Sequence, residues 1–316
     1  MALKDINMDS LVSKMADRRA DRNNNQNVMA AIKRMHSFVE NVDIDKQRHT
    51  QDSFGILFGA NKELEFEQIK IGHMNAEWTR LRHSHRKQPV ILYCHGGGYA
   101  TGSTKYARTV TSKFVEATSM SALAFDYRLA PEHPYPAAID DAVKVWDYLM
   151  YYGYGAEDII VVGDSAGGNL ALELLMRIKA KKRMMPKALV LLSPWTDLTC
   201  AGETQESRAS IDPVLDHDYL QLAIEYYTAG KMELDDPLVS PLYADFTGFP
   251  PTYIQVGDNE ILLDDSRMLY KKLLEYNVLT RISIYEGMWH VFQMAPFKKS
   301  FDAVKEAAEF IYEICK

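Results

Sequence analysis

Six short, largely apolar runs, each followed by a stretch long enough for a helix, restrict this chain to a narrow set of folds. The runs are Val90–Tyr93, Ala122–Phe125, Ile159–Val162, Ala188–Leu192, Tyr253–Val256 and Ile282–Tyr285. Their lack of strict alternation predicts strands covered on both faces. Helix-length stretches lie at about 104–118, 137–152, 166–182, 266–276 and 298–315. Alternating β and α segments of this kind predict an α/β protein, a mostly parallel sheet with helices on both faces. Upstream, Leu64–Ile71 and Ala76–Leu81 do alternate, as an antiparallel pair would.

One interval is too long for a crossover helix. Residues 194–249 separate two of the runs and carry Asp212-Pro213, then a helical pattern through Leu220, Ala223 and Tyr227. We read them as an insertion over the carboxyl edge of the sheet, where open α/β folds bind ligands. Residues 1–50 are polar with a helical pattern (Val28, Ile32, Met35, Phe38), and are expected to join that insertion as a cap. The expected organisation is therefore 1–50 cap helices, 51–193 first part of the core, 194–249 cap insertion and 250–316 second part of the core.

Composition removes several functional classes. The 316 residues carry a net charge of −7, which speaks against a nucleic-acid footprint. Three cysteines, Cys94, Cys200 and Cys315, fit neither a disulfide framework nor a zinc pattern. The opening MALKDINMDS lacks the apolar core of a signal peptide, and no run is long enough to span a membrane. A soluble protein of a reducing compartment, the cytoplasm, is expected, without membrane attachment.

Directly after Ile159–Val162 stands Gly163-Asp164-Ser165-Ala166-Gly167-Gly168, and then an apolar helical pattern. Strand, G-x-S-x-G, helix is a mechanical unit: the serine sits on a turn so tight that only glycines fit two positions either side. The turn lifts the Ser165 hydroxyl clear of the sheet and points a helix N-terminus at any negative charge that develops there. Asp164, beside the nucleophile, points elsewhere and is read as structural. A second glycine cluster, His95-Gly96-Gly97-Gly98, follows Val90–Tyr93. Bare backbone there lets the N–H groups of Gly97 and Gly98, with that of Ala166, surround the oxyanion of an acyl-transfer intermediate. A phosphate cradle is the rival reading, but neither G-x-x-x-x-G-K-[ST] nor G-x-G-x-x-G occurs. His95 is read as a prop for the loop, and Cys94 as a buried structural thiol.

A serine hydroxyl needs a base, and the base needs a carboxylate to fix its tautomer. Of nine histidines only His217 and His290 follow Ser165. His217 begins a surface helix, whereas His290 comes shortly after the last strand and so returns to the carboxyl edge. For the acid, Asp258 and Glu260 both lie in the loop after Tyr253–Val256, and spacing within the loop does not separate them. Asp264 and Asp265 are read as capping charges for the helix at 266–276. His83-Ser84-His85, in a basic loop, is read as solvated rather than metal-binding. No metal or organic cofactor is called for.

Together these residues resemble the hormone-sensitive-lipase-like esterases of the α/β-hydrolase fold (bacterial family IV) over about residues 88–312. His95–Gly98 and Gly163–Gly168 carry the resemblance, with Asp126-Tyr127-Arg128-Leu129-Ala130-Pro131-Glu132-His133-Pro134 resembling the family's turn after the fourth strand. It implies an eight-stranded sheet and a helical cap. The family's acid stands in an Asp-Pro-Leu-x-Asp motif thirty residues before the histidine. That position here is Glu260, in Glu260-Ile261-Leu262-Leu263-Asp264, so the pattern departs by placing Glu where Asp is usual. The resemblance thus implies a Ser165–His290–Glu260 triad, with Asp258 as the alternative acid. The implied activity is hydrolysis of small short-chain acyl esters. The alternatives are deacetylation of acetylated sugars, onto which Tyr219, Tyr226 and Tyr227 would stack, although their helical spacing favours packing of the cap, and a non-catalytic ligand-binding protein on the same fold. A homodimer through the strand near 281–285 is also implied.

Overall fold

The computed structural model describes Met29 and residues 43–58, 61–82 and 89–316. Expectations for the rest of 1–42, and for His83-Ser84-His85, fall outside the described residues. The strands are β1 (Leu64–Ile71), β2 (Met74–Leu81), β3 (Val90–Cys94), β4 (Ser121–Phe125), β5 (Ile159–Asp164), β6 (Ala188–Leu192), β7 (Thr252–Gly257) and β8 (Thr280–Tyr285). They form one eight-stranded sheet in the order β1-β2-β4-β3-β5-β6-β7-β8. β1 and β2 are antiparallel, as the alternation predicts, and β2 joins β4 antiparallel. From β4 across to β8 every pairing is parallel.

The period of two sorts each central strand between two cores. On one face Val90, Leu92 and Cys94 of β3 and Ile159 and Val161 of β5 join a cluster completed by helices α3 (Ala137–Tyr151) and α4 (Ala166–Ala180). On the other, Ile91, Tyr93, Ile160 and Val162 pack against Phe114 and Val110 of α2 (Thr104–Thr118) and Phe310 and Ile311 of α8 (Lys298–Cys315). α1 (Ile44–Phe58) lies against α2. Its Arg48 donates to Glu132 through two nitrogens, both at 2.8 Å, and to the carbonyls of Ala100 and Ala130.

Between β6 and β7 run α5 (Thr204–Ser207) and α6 (His217–Thr228), and α7 (Leu263–Glu275) follows β7. α6 starts at His217, as expected. α7 starts three residues earlier than the pattern implied, so Asp264 and Asp265 lie inside its first turn and reach sideways rather than capping it. Asp265 accepts from the N–H groups of Thr196 (2.7 Å) and Asp197 (3.0 Å), and Asp264 from that of Thr204 (3.1 Å).

α6 is fastened to the core by aromatic stacking and one buried carboxyl. Tyr227 lies flat on Tyr99 with ring centroids 3.6 Å apart, and its hydroxyl donates to Glu173 in α4 at 2.8 Å. The second Glu173 oxygen has no hydrogen-bond partner among the described residues. Burial pushes this carboxyl up to about 8. Between about pH 4.5 and 8 the unfolded chain has therefore released a proton that the folded chain keeps, and stability falls as pH rises through that window. Glu173→Gln cannot ionise. It is expected to match the wild type near pH 5 and to exceed its stability above pH 8, as read from urea midpoints at the two pH values.

Candidate active site

β5 ends at Asp164 and α4 begins at Ala166, which leaves Ser165 alone on the turn with φ 54° and ψ −123°. That backbone is strained for a residue with a Cβ, and is held by its surroundings. A Cβ at Gly163 would strike the backbone of Gly167, and one at Gly167 would strike the carbonyls of Cys94 and His95. The sequence motif thus has two steric causes. One is the tight turn itself; the other, not visible in the spacing, is the passage of the end of β3 against the start of α4.

His290 comes to this turn from the loop after β8. Its Nε2 lies 2.9 Å from Ser165 Oγ, and its Nδ1 lies 2.8 Å from Glu260 Oε2. With a carboxylate against Nδ1, the neutral ring carries its proton there and leaves Nε2 to accept from the hydroxyl. Glu260 is fully buried and His290 is 6% exposed. The other Glu260 oxygen accepts from Gly257 N–H (2.6 Å) and Ser193 Oγ (2.8 Å). Asp258 is placed differently: its carboxylate accepts from Gly287 N–H at 2.7 Å and shapes the turn ahead of His290. His217 heads α6 and is exposed.

Ser193 escapes sequence reading. It sits just past β6, donates to Glu260, and accepts from Val291 N–H at 3.1 Å. One hydroxyl therefore ties the acid to the residue after the base. No motif announces it; its place at the carboxyl end of a central strand was the available signal.

The glycine loop is built by Asp164, as its structural reading implies. This carboxyl, completely buried, accepts from Gly96 N–H (2.9 Å), Tyr93 Oη (2.6 Å) and Tyr106 Oη (3.0 Å). Burial raises its pKa, while these donors act to hold it down. His95 is a strut: its ring stacks on Tyr127 with centroids 4.1 Å apart, and its Nδ1 lies 2.8 Å from Gly96 O. Burial lowers its pKa, which favours the neutral ring with Nδ1–H donating to that carbonyl. Gly97, at φ 112°, adopts a backbone unsuited to side chains, and its carbonyl accepts from Ala100 N–H and Thr101 N–H. Gly98 faces the Tyr219 hydroxyl of α6. As the first residue of α4, Ala166 has an N–H without an intrahelical acceptor. Cys94 is buried and its thiol is pushed up, as an inert structural cysteine should be.

The arrangement can draw a proton from an alcohol through an imidazole held by a carboxylate, beside backbone donors. A family model described as the alpha/beta hydrolase fold matches residues 91–294. An esterase of Acinetobacter venetianus is 37% identical over 265 residues, covering 83% of this chain and 87% of that protein. An acetyl-hydrolase of Streptomyces hygroscopicus is 35% identical over 251 residues, covering 79% and 83%. Among solved structures, an esterase from the bacterial hormone-sensitive lipase family superposes with a TM-score of 0.88 at 31% identity, covering 94% of this chain and 100% of that one.

Ser193→Ala would leave Val291 N–H without its acceptor and Glu260 Oε1 with one donor. A loss of about 1–3 kcal/mol is expected from denaturant unfolding, the usual cost of orphaning a buried polar group.

Proposed function

The chain belongs to the α/β-hydrolase-fold esterases of the bacterial hormone-sensitive lipase family, and from that premise we propose that it hydrolyses short-chain acyl esters through Ser165, His290 and Glu260. It is a carboxylic ester hydrolase. The observation that carries the mechanism is the unbroken relay from Ser165 Oγ to His290 (2.9 Å) and on to Glu260 (2.8 Å).

In this mechanism Ser165 Oγ attacks the ester carbonyl carbon while His290 Nε2 takes its proton. Glu260 holds the Nδ1–H and stabilises the imidazolium that forms. The carbonyl oxygen becomes an oxyanion, which the N–H groups of Gly97, Gly98 and Ala166 receive. Each such donor is worth about 3–4 kcal/mol in the transition state. The intermediate then expels the alcohol, which leaves with the proton from His290. Water repeats the attack on the acyl-enzyme, giving up a proton to His290, and Ser165 recovers a proton as the acid departs. Glu260 is preferred to Asp258 because Asp258 spends its carboxylate on Gly287 N–H.

Residues 1–50 and 194–249 are proposed as the cap. A cavity of about 310 Å³ beside the glycine loop, lined by Gln47, Ala100, Thr101, Asp216, Tyr219 and Tyr226 among others, favours a second substrate reading. Aromatic rings with carboxylate and amide groups suit the sugar of an acetylated saccharide. Tyr227 is excluded from that role, because it is 1% exposed and packed on Tyr99. A non-catalytic binding protein would have no need of the relay. We further propose a cytoplasmic enzyme without nucleic-acid or membrane partners. Supporting this are the free Cys94, Cys200 and Cys315 and, among the described residues, no helix long and apolar enough to cross a membrane. β8, at the sheet's edge with Ile284 exposed, is the proposed seam of a homodimer.

On p-nitrophenyl acetate, Ser165→Ala is expected to lower kcat by on the order of 10⁶. Glu260→Gln should cost roughly 10⁴, and Asp258→Asn far less. Equal rates for wild type and Ser165→Ala would end the serine mechanism, and a larger loss at Asp258 would transfer the acid's role. Across an acyl series, acetate and butyrate esters should be cleaved faster than laurate. Acetylated xylo-oligosaccharides added to the panel test the sugar reading directly.

A further inference from the structure

The peptide that follows the catalytic acid is gripped at both ends by the insertion between β6 and β7. Ile261 N–H donates to Asp212 Oδ2 at 2.9 Å, and Ile261 O accepts from Thr204 Oγ1 at 2.9 Å. Asp212 is 2% exposed, and its other oxygen accepts from Val214 N–H (2.8 Å) and Leu215 N–H (3.0 Å). Pro213 lies between them and has no N–H to compete. The same turn reaches the base as well: Val214 packs against the cluster of Met288, Trp289, Phe292 and Ala303, whose first three members flank His290.

On the triad reading above, we infer that Asp212 is a positioning residue, holding the Glu260 loop to the insertion. The hydrogen bonds at the two ends of Ile261 fix where Glu260 can sit. Burial pushes the Asp212 carboxyl up to about 6. The insertion would then do more than cover substrate, since the arm that closes the site also sets the acid.

Asp212→Asn keeps the size, removes the charge, and can satisfy only part of the N–H set. The expected result is a fall in kcat of about 10²-fold, the scale set by a misplacement of about 1 Å, with little change in KM because Asp212 does not reach substrate. A role confined to folding would lower the melting temperature and leave kcat of the folded protein in place. Thr204→Val, a milder change at the other end of the same residue, should lower kcat by roughly 3- to 10-fold, the value of one hydrogen bond. It decides the matter should Asp212→Asn not fold. Wild-type kcat in Thr204→Val, or in a folded Asp212→Asn, overturns the positioning role. Ser165→Ala assayed alongside separates the two levels: if it keeps its rate, the triad reading itself falls.

Discussion

The site depends on how closely the backbone leaving β5 crosses the end of β3. Two main chains meet there with no room for a Cβ at Gly167, which lies against the carbonyls of Cys94 and His95, and within the turn itself Gly163 lies as closely against Gly167. That closeness forces the turn at Ser165 into φ 54° and starts α4 immediately behind it. It also sets the glycine loop beside that turn, because the loop continues from the same Cys94 and His95. Ser165 and the loop are thus placed by one steric event. The strain at Ser165 is sustained by the two cores that clamp β3 and β5 from both faces.

Around this crossing, buried carboxyls act as joints between elements whose order in the chain is remote. Asp164 binds the glycine loop to β5, Glu260 joins the ends of β6 and β7 to His290, and Asp265 fixes the segment after β6 to α7. Each is desolvated, and each is met mainly by backbone N–H groups or hydroxyls rather than by Lys or Arg. Such donors are directional and short in reach, so they locate loops to within the length of a hydrogen bond, which long flexible cations do less well. Glu173 and Asp265 each keep one oxygen unmatched among the described residues, and burial pushes both carboxyls up to about 8.

Much of this was legible in the chain. The apolar runs gave all six parallel strands to within a residue or two, and the glycine patterns marked Ser165 and the loop at 96–98, because those features are set by local sterics. The errors share a cause. The early start of α7 was missed because Asp264 and Asp265 look like helix caps in one dimension and serve as cross-links in three. Ser193 and Asp212 belong to no motif, since a hydroxyl or carboxyl that bonds two distant loops has no characteristic spacing.

By itself, then, the sequence determined the alternation of strands and helices, the tight serine turn and the bare backbone beside it, because period, Cβ sterics and helix starts act over a few neighbouring residues. Only the tertiary structure distinguishes the surroundings of Glu260 and Asp258. Both occupy the same loop, and what distinguishes them is where β8 returns: Asp258 meets the Gly287 amide while Glu260 meets the His290 ring. That difference is a matter of direction over a few ångströms, fixed by how β7, β8 and the insertion pack together, and no local pattern encodes it.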